Sequence, residues 1–317
     1  MIFEGDPSVI DALKEKKHLL LTGEEHGHIR PLLVICGGLM RGVYGGAAVT
    51  ILHEEGYGEV FDNIIGISTG APTAAYFLGG NPRVGNSIYY EECCSGYFLK
   101  AAKLKNWFFH PLATWRDAMD LEYLNKVFHG STGKEINVAG VFKNRTRLHI
   151  AVTKEVNAES WYINTCDEKD LHAAVIASCD IPGANTMQYH VSGQVCLDGL
   201  IGEAFPMTFV KNMDPQPTHI MVFANTVKKG PGKVEELINL VIFSMLFRNR
   251  IDTLILKKWI NRYDQFNVLL NQQKNSTTCA TAVIWTDGEL KAICTDRKKV
   301  QVTALHSETW WRNLLKT

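Results

Sequence analysis

Apolar runs that end in glycine alternate with helix-period segments along the first part of the chain. Leu32-Leu33-Val34-Ile35-Cys36 is unbroken by polar residues and stops at Gly37-Gly38, as expected of a strand buried on both faces. A helical segment follows from Gly42 to Glu55, where Val49 and Leu52 supply an apolar stripe and Gly45, Gly46, Ala47 and Ala48 permit close packing. A second strand, Phe61 to Ile67, then leads through Ser68 into a helix over Thr69–Leu78. Strand, helix, strand, helix in this order is the repeating unit of a parallel sheet and predicts an α/β fold.

Further along, Arg147–Val152 and Glu159–Asn164 read as strands and Asp170–Ser178 as a helix stopped by Ile181-Pro182-Gly183. Gln188–Val191 and Gln194–Leu197 flank Ser192-Gly193, a two-residue link that favours a hairpin turn and leaves Asp198 at the end of its second strand. His219–Ala224 is another sheet strand, and residues 234–262 read as one or two helices. Residues 1–30 are expected to form an N-terminal helical extension. Residues 31–317 then form one α/β hydrolase-type domain, with its motif-bearing core over about 31–225 and a helical part over about 226–317. The aromatic-rich stretch from Arg83 to Asn137 reads only as helices and loops.

Composition narrows the classes. The chain has 317 residues, 46% of them hydrophobic, enough for a large core. Its 33 Lys and Arg balance 33 Asp and Glu, so it lacks the basic excess of a nucleic-acid binder. The start of the chain lacks the basic region and long apolar core of a signal peptide, and no stretch reaches the roughly 18 apolar residues of a membrane span. The eight cysteines show no metal-ligand spacing and read as buried free thiols of a cytoplasmic protein.

Three short blocks carry chemistry. Gly66-Ile67-Ser68-Thr69-Gly70 has the G-x-S-x-G form in which a serine is thrust from a strained turn between strand and helix. The glycines remove side chains that would collide where the two elements converge. Gly37-Gly38-Leu39-Met40-Arg41-Gly42 is a glycine-rich turn at a helix start, where backbone amides suit a phosphate or the oxyanion of an acyl-transfer intermediate. It is neither a Walker loop nor a dinucleotide fingerprint. Asp198 follows a strand and precedes Gly199, a glycine that permits close backbone approach. A histidine triad in the order serine, acid, histidine would nominate His219 or His306, yet the first opens an apolar strand and the second lies in a polar tail. Asp287-Gly288 reads as an ordinary turn.

Gly37-Gly38-x-x-Arg41-Gly42, Gly66-Ile67-Ser68-Thr69-Gly70, Ala177-Ser178-Cys179-Asp180-Ile181-Pro182-Gly183 and Leu197-Asp198-Gly199 resemble, in order and spacing, the blocks of the patatin-like phospholipase family. The resemblance spans roughly residues 31–225 and implies a three-layer sandwich with a mainly parallel central sheet. It implies a serine-dependent lipid acyl hydrolase acting through an acyl-enzyme, with Ser68 as nucleophile, Asp198 as its direct base and the amides of Gly37–Gly42 as the oxyanion hole. Gly66, Ile67, Thr69 and Gly70 would shape the elbow, and Gly199 and Leu200 would complete the Asp-Gly motif. The implied partner is a lipid or acyl ester, and neither metal nor organic cofactor is expected. Two positions depart from the pattern: Leu39 stands where the family has a third glycine, and Leu200 where it has glycine or alanine. A left-handed conformation at Leu39 would strain it by about 1–2 kcal/mol. Alternatives are a degenerate relative that binds lipid or protein without catalysis, and a phosphate or nucleotide binder using the glycine turn.

Residues 234–262 mix Leu237, Ile238, Val241, Ile251 and Leu254 with Arg248, Arg250, Lys257 and Lys258. Such a mixture suits either a core helix with a solvated face or a basic amphipathic surface resting on an anionic membrane as a peripheral contact.

Overall fold

A computed structural model describes residues 1–100, 118–165, 170–182, 184–185, 187–228, 258, 261–275 and 279–317. Nine strands form one sheet: β1 (Ile2–Gly5), β2 (Pro31–Ile35), β3 (Asn63–Ile67), β4 (Arg147–Lys154), β5 (Ser160–Asn164), β6 (Tyr189–Val191), β7 (Gln194–Asp198), β8 (His219–Phe223) and β9 (Ala280–Trp285). The path runs β1-β9-β8-β2-β3-β4-β7-β6, with β5 paired to β4 off that path. The pairings from β9 to β4 are parallel, while those of β1, β5, β6 and β7 are antiparallel. The centre is thus the expected parallel sheet, and its flanks are hairpin-like.

Side chains alternate across a strand, and here both faces are covered. Leu33 and Ile35 of β2 join Ile64 of β3, Leu148 and Ile150 of β4 and Phe223 of β8 in one core. The main helices of that layer are α1 (Ser8–Thr22), α2 (Gly42–Glu54), α3 (Gly70–Leu78), α4 (Pro82–Glu91), α5 (Leu121–Phe128), α6 (Leu171–Ser178) and, from the far end of the chain, Arg297–Lys316. Leu32 and Val34 of β2 point the other way, with Ile65 and Ile67, onto Phe205, Met207 and Val210 and onto Phe266 and Leu270 of α7 (Arg262–Lys274). The helix Arg297–Lys316 is α8 hereafter. Two layers of helix around one sheet make the sandwich. Cys36, Cys93, Cys179, Cys196 and Cys279 are buried free thiols.

Two expectations need correction. Residues 1–30 were set apart as a helical extension, but the helix is preceded by β1, whose Ile2–Gly5 pair with Ala282–Trp285 of β9. Val9, Ile10 and Leu13 of α1 belong to the main core, and the Lys16 ammonium, 1% exposed, reaches Asp62 Oδ1 at 2.6 Å beside the start of β3. Nor is the part after residue 225 purely helical, since β9 lies beside β8 within the sheet. The short, mixed runs Ile2-Phe3-Glu4 and Ala282-Val283-Ile284 carry too little periodicity to announce strands without their partners.

One feature of the sheet places the chemistry. β5 pairs with β4 at residues 149–153, overlapping the stretches that pair with β3 (147–151) and with β7 (152–154). A strand has two edges, so β3 and β7 must lie in tandem along the edge of β4 opposite β5. Ile67 is opposite Ala151 and Asp198 opposite the next residue, Val152. The two strands run toward one another and end at a shared seam.

Among the described residues no helix is long and apolar enough to cross a membrane. The proposed docking stretch 234–262 lies almost wholly outside the described residues. Within it Lys258 is half-buried, its ammonium donating to the carbonyls of Ala158 at 2.6 Å and Gly202 at 3.3 Å.

Candidate active site

Ser68 leaves β3 at the seam. Its φ of +54° is left-handed, a conformation costly for a side-chain-bearing residue and frequent at functional turns. The flanking glycines account for the turn's tightness. A Cβ on Gly70 would lie 1.9 Å from the carbonyl oxygen of Ile35 in β2, and one on Gly66 would lie 2.7 Å from Ala71 Cα at the start of α3. Ile67 is the last residue of β3, Thr69 the N-cap of α3 and Gly70 its first residue.

The turn is braced by polar groups that the sequence did not single out. The Ser68 N–H donates to Ser178 Oγ at 2.9 Å, and that hydroxyl donates to the carbonyl of Ala151 at 2.6 Å. Ser178, fully buried at the end of α6, therefore ties Ser68 to the strand residue opposite Ile67. Thr69 O accepts from Thr73 Oγ1 at 2.8 Å and from the Tyr89 hydroxyl at 3.2 Å. Ser178 stands within a quoted motif block, so its position was visible and its task was not.

Asp198 ends β7 on the other side of the seam and has no exposure to solvent. Its N–H donates to Asp180 O at 2.9 Å, and its own carbonyl accepts from Thr153 Oγ1 at 2.8 Å. The Leu200 N–H donates to Oδ1 at 2.9 Å, which fixes the carboxylate's rotation. Gly199 and Leu200 start a short helical turn that carries the chain away. The hairpin before it is closed by Ser192 and Gly193 at φ +47° and +79°, the paired left-handed residues of the expected turn. Burial, and after it the charge of Asp198, push the Cys179 thiol well above the usual range.

The glycine loop faces Ser68 from the end of β2. A Cβ on Gly37 would lie 2.5 Å from Ser68 Cβ, 3.0 Å from its Oγ and 2.8 Å from Leu200 Cδ1, so loop, serine and Asp-Gly segment meet at that point. Leu39, Met40 and Arg41 form a single 3-10 turn and Gly42 opens α2. Leu39 has φ +51°, so the position does take the conformation a third glycine would relieve. Three of the six amides expected to bind an oxyanion are engaged within the fold: Met40 N–H donates to Ala292 O, Arg41 N–H to Gly38 O and Gly42 N–H to Leu39 O. Gly37, Gly38 and Leu39 are the loop amides without a hydrogen-bond acceptor among the described residues.

A cavity open to solvent is lined in part by Ser68 and Leu39. Its walls are almost wholly apolar and include Ile88, Phe98, Met119, Leu124 and Phe128, drawn from the stretch that resisted reading in the sequence. Two of its lining side chains, Tyr76 and Phe128, are nearly fully buried and packed edge to face, 6.1 Å between ring centroids.

The histidine alternatives lie elsewhere. His219 begins β8 opposite Pro31, at the end of the sheet away from Cys36 and Ser68, with its ring against Thr218 Oγ1 at 2.9 Å. His306 is exposed on α8. Asp287 does more than turn the chain, since its carboxylate accepts from the Tyr44 hydroxyl of α2 at 2.5 Å.

A sequence model of the patatin-like phospholipase family matches residues 33–210, more than half of the chain. Among curated proteins no sequence matches significantly. Among solved structures, VipD from Legionella pneumophila aligns over 90% of this chain and 67% of its own at 14% identity and a TM-score of 0.48. The type III effector ExoU aligns over 90% of this chain and 62% of its own, at 12% identity and a TM-score of 0.32; a complex containing ExoU from Pseudomonas aeruginosa aligns comparably, at 12% and 0.33.

Proposed function

This chain belongs to the patatin-like phospholipase family of lipid acyl hydrolases, and from that premise we propose that it cleaves a fatty acyl ester through a Ser68–Asp198 dyad. The observation that carries the reading is the seam: β3 and β7 end against neighbouring residues of β4, so a left-handed serine that lines an apolar cavity and a fully buried carboxylate are delivered to adjacent positions of one strand edge.

Ser68 Oγ attacks the ester carbonyl as its proton passes to the carboxylate of Asp198, without a histidine between them. The carbonyl oxygen becomes an oxyanion, held by amides of Gly37, Gly38 and Leu39. Collapse of the intermediate expels the alcohol, to which Asp198 returns the proton, and leaves the acyl group on Ser68. Water, deprotonated by the same aspartate, then releases the fatty acid. The Ser68 N–H is committed to Ser178, so the oxyanion depends on the loop. The acyl chain lies along the apolar cavity toward Tyr76 and Phe128, which favours substrates with a single hydrocarbon chain in the pocket at a time.

Hydrolysis of a nitrophenyl ester and a lysophospholipid, with fluorophosphonate labelling, tests the proposal. Wild type is expected to hydrolyse both and be labelled at Ser68. Ser68→Ala and Asp198→Asn each lose at least about a thousandfold in kcat, and the double variant loses little more, because groups acting as one unit do not add. Near-normal turnover by Asp198→Asn would remove the dyad.

A further inference from the structure

The glycine loop contributes no side chain to the chemistry assigned to it, so its use depends on where its backbone is held. Asn225, just past β8, is 2% exposed and outside the family match. Its Nδ2 donates to the carbonyl of Cys36 at 2.7 Å, and its Oδ1 accepts from the Gly45 N–H at 3.1 Å. Cys36 is the residue before Gly37, and Gly45 lies in the first turn of α2, so one side chain grips the loop at both ends. The backbone of Asn225 also fits under the middle of the loop, where a Cβ on Gly38 would lie 2.6 Å from the Asn225 carbonyl oxygen and 3.0 Å from its Cβ.

The demands on this position single out asparagine. A carbonyl must receive a proton and an amide must give one, so the side chain needs a donor and an acceptor in fixed separation. Aspartate supplies only the acceptor at neutral pH, and leucine supplies neither. The same pairing fixes which way the amide points, since the reverse orientation would set carbonyl against carbonyl and N–H against N–H. Asn225 also has φ +49°, a left-handed conformation that asparagine tolerates better than most residues. Buried, left-handed and bonded to both ends of one loop, it is fitted to that loop's geometry rather than to general packing.

We propose that Asn225 is a positioning residue that sets the Gly37–Leu39 amides against the carbonyl attacked by Ser68. The inference rests on the oxyanion role given to those amides above. It adds that their alignment is imposed by a residue just past the end of the neighbouring strand, some 180 positions away. Replacing Asn225 removes no oxyanion donor and no nucleophile, so the expected defect is slower chemistry with substrate binding intact. Misplacement by about 1 Å, or loss of one oxyanion donor, typically lowers a rate about a hundredfold.

The test is labelling of Ser68 by a fluorophosphonate, whose phosphonyl oxygen takes the place of the oxyanion, followed to completion with time and compared with kcat and KM on a nitrophenyl ester. Asn225→Ala is expected to label to the same end-point as wild type but about a hundredfold more slowly, with kcat reduced in proportion and KM within about twofold. Asn225→Asp, which keeps the left-handed tolerance and the acceptor for Gly45, is expected to be slowed about tenfold and serves if the alanine variant does not fold. An unchanged labelling rate in the folded variants would overturn the inference. So would a lowered end-point with an unchanged rate on the remaining sites, which would mean that Asn225 supports folding alone. Failure of the acyl-hydrolase reading is separately visible: wild type would then not be labelled at Ser68, and both statements would fall.

Discussion

Ser68 and, from the loop Gly37–Gly42, Leu39 and Met40 border the same cavity, yet different parts of the chain hold turn and loop. The serine turn is built by its neighbours in the sheet: β3 delivers it, Gly66 and Gly70 clear its surroundings, Ser178 receives its amide, and β7 brings Asp198 along the same strand edge. All of these residues fall inside the family match at 33–210. The loop is held from outside that stretch. Asn225 grips its ends, Ala292 O receives the Met40 amide, and Asp287 binds Tyr44 on the helix that follows. The proposed nucleophile and base thus lie on short blocks, while the loop amides proposed to stabilise charge are held by residues that no block contains. Two proteins could share every motif and still differ in how well the loop is set.

The contrast can be broken or sharpened by variants on either side of the cavity. The largest effect is expected on the serine side. Ser178→Ala strands the Ser68 N–H and the Ala151 carbonyl in a buried site, at about 1–3 kcal/mol. Fluorophosphonate labelling and kcat should fall about tenfold to a hundredfold while KM holds, and a change below twofold would show that the serine turn needs no polar brace.

Between the two sides, Phe128→Leu should enlarge the cavity where the Tyr76 and Phe128 rings now meet. An added methylene that is buried stabilises binding by about 0.8 kcal/mol, so optimal ester chain length should move up by one or two carbons, with a several-fold gain in kcat/KM for the longer ester. An unmoved chain-length profile would place the acyl group elsewhere. The smallest effect is expected in the loop itself. Leu39→Gly relieves a left-handed leucine at φ +51°, a strain of about 1–2 kcal/mol that glycine's greater freedom when unfolded partly offsets. Stability in denaturant should rise by up to about 1 kcal/mol, with kcat within about twofold if Asn225 and Ala292 set the loop without help from residue 39. A large change in kcat would mean that the leucine side chain itself tunes the amides.

Much of this arrangement was legible because its signals are local. The buried run Leu32–Cys36, the serine block and the Ser192-Gly193 turn each state their conformation within a few residues, and the structure gives β2, the left-handed Ser68 and the hairpin β6–β7 accordingly. What escaped depends on distant partners. β1 is a strand only because β9 is there to pair with it, and Asn225 is merely an asparagine after a strand until Cys36 and Gly45 come within reach. The cavity walls escaped for a related reason. Phe98, Met119 and, on α5, Leu124 and Phe128 form a common surface that exists only once they are packed together with Tyr76 of α3 and Ile88 of α4. The glycine loop was read as six equivalent amides, since sequence cannot tell that Met40, Arg41 and Gly42 spend theirs on the fold.

The seam between β3 and β7 carries a consequence for how such a chain can vary. Side chains in a strand alternate faces, so adding or deleting one residue within Gln194–Asp198 would turn the carboxylate to the opposite side of the sheet while leaving the hydrophobic content almost unchanged. A length change in residues 212–218, the connection that leads into β8, would shift neither face at the seam. The protein is therefore expected to tolerate insertions and deletions very unevenly. Its most lethal one-residue change would lie in a short edge hairpin, where loss of a single codon would part Asp198 from Ser68, the proposed base from the proposed nucleophile, without unfolding the sheet.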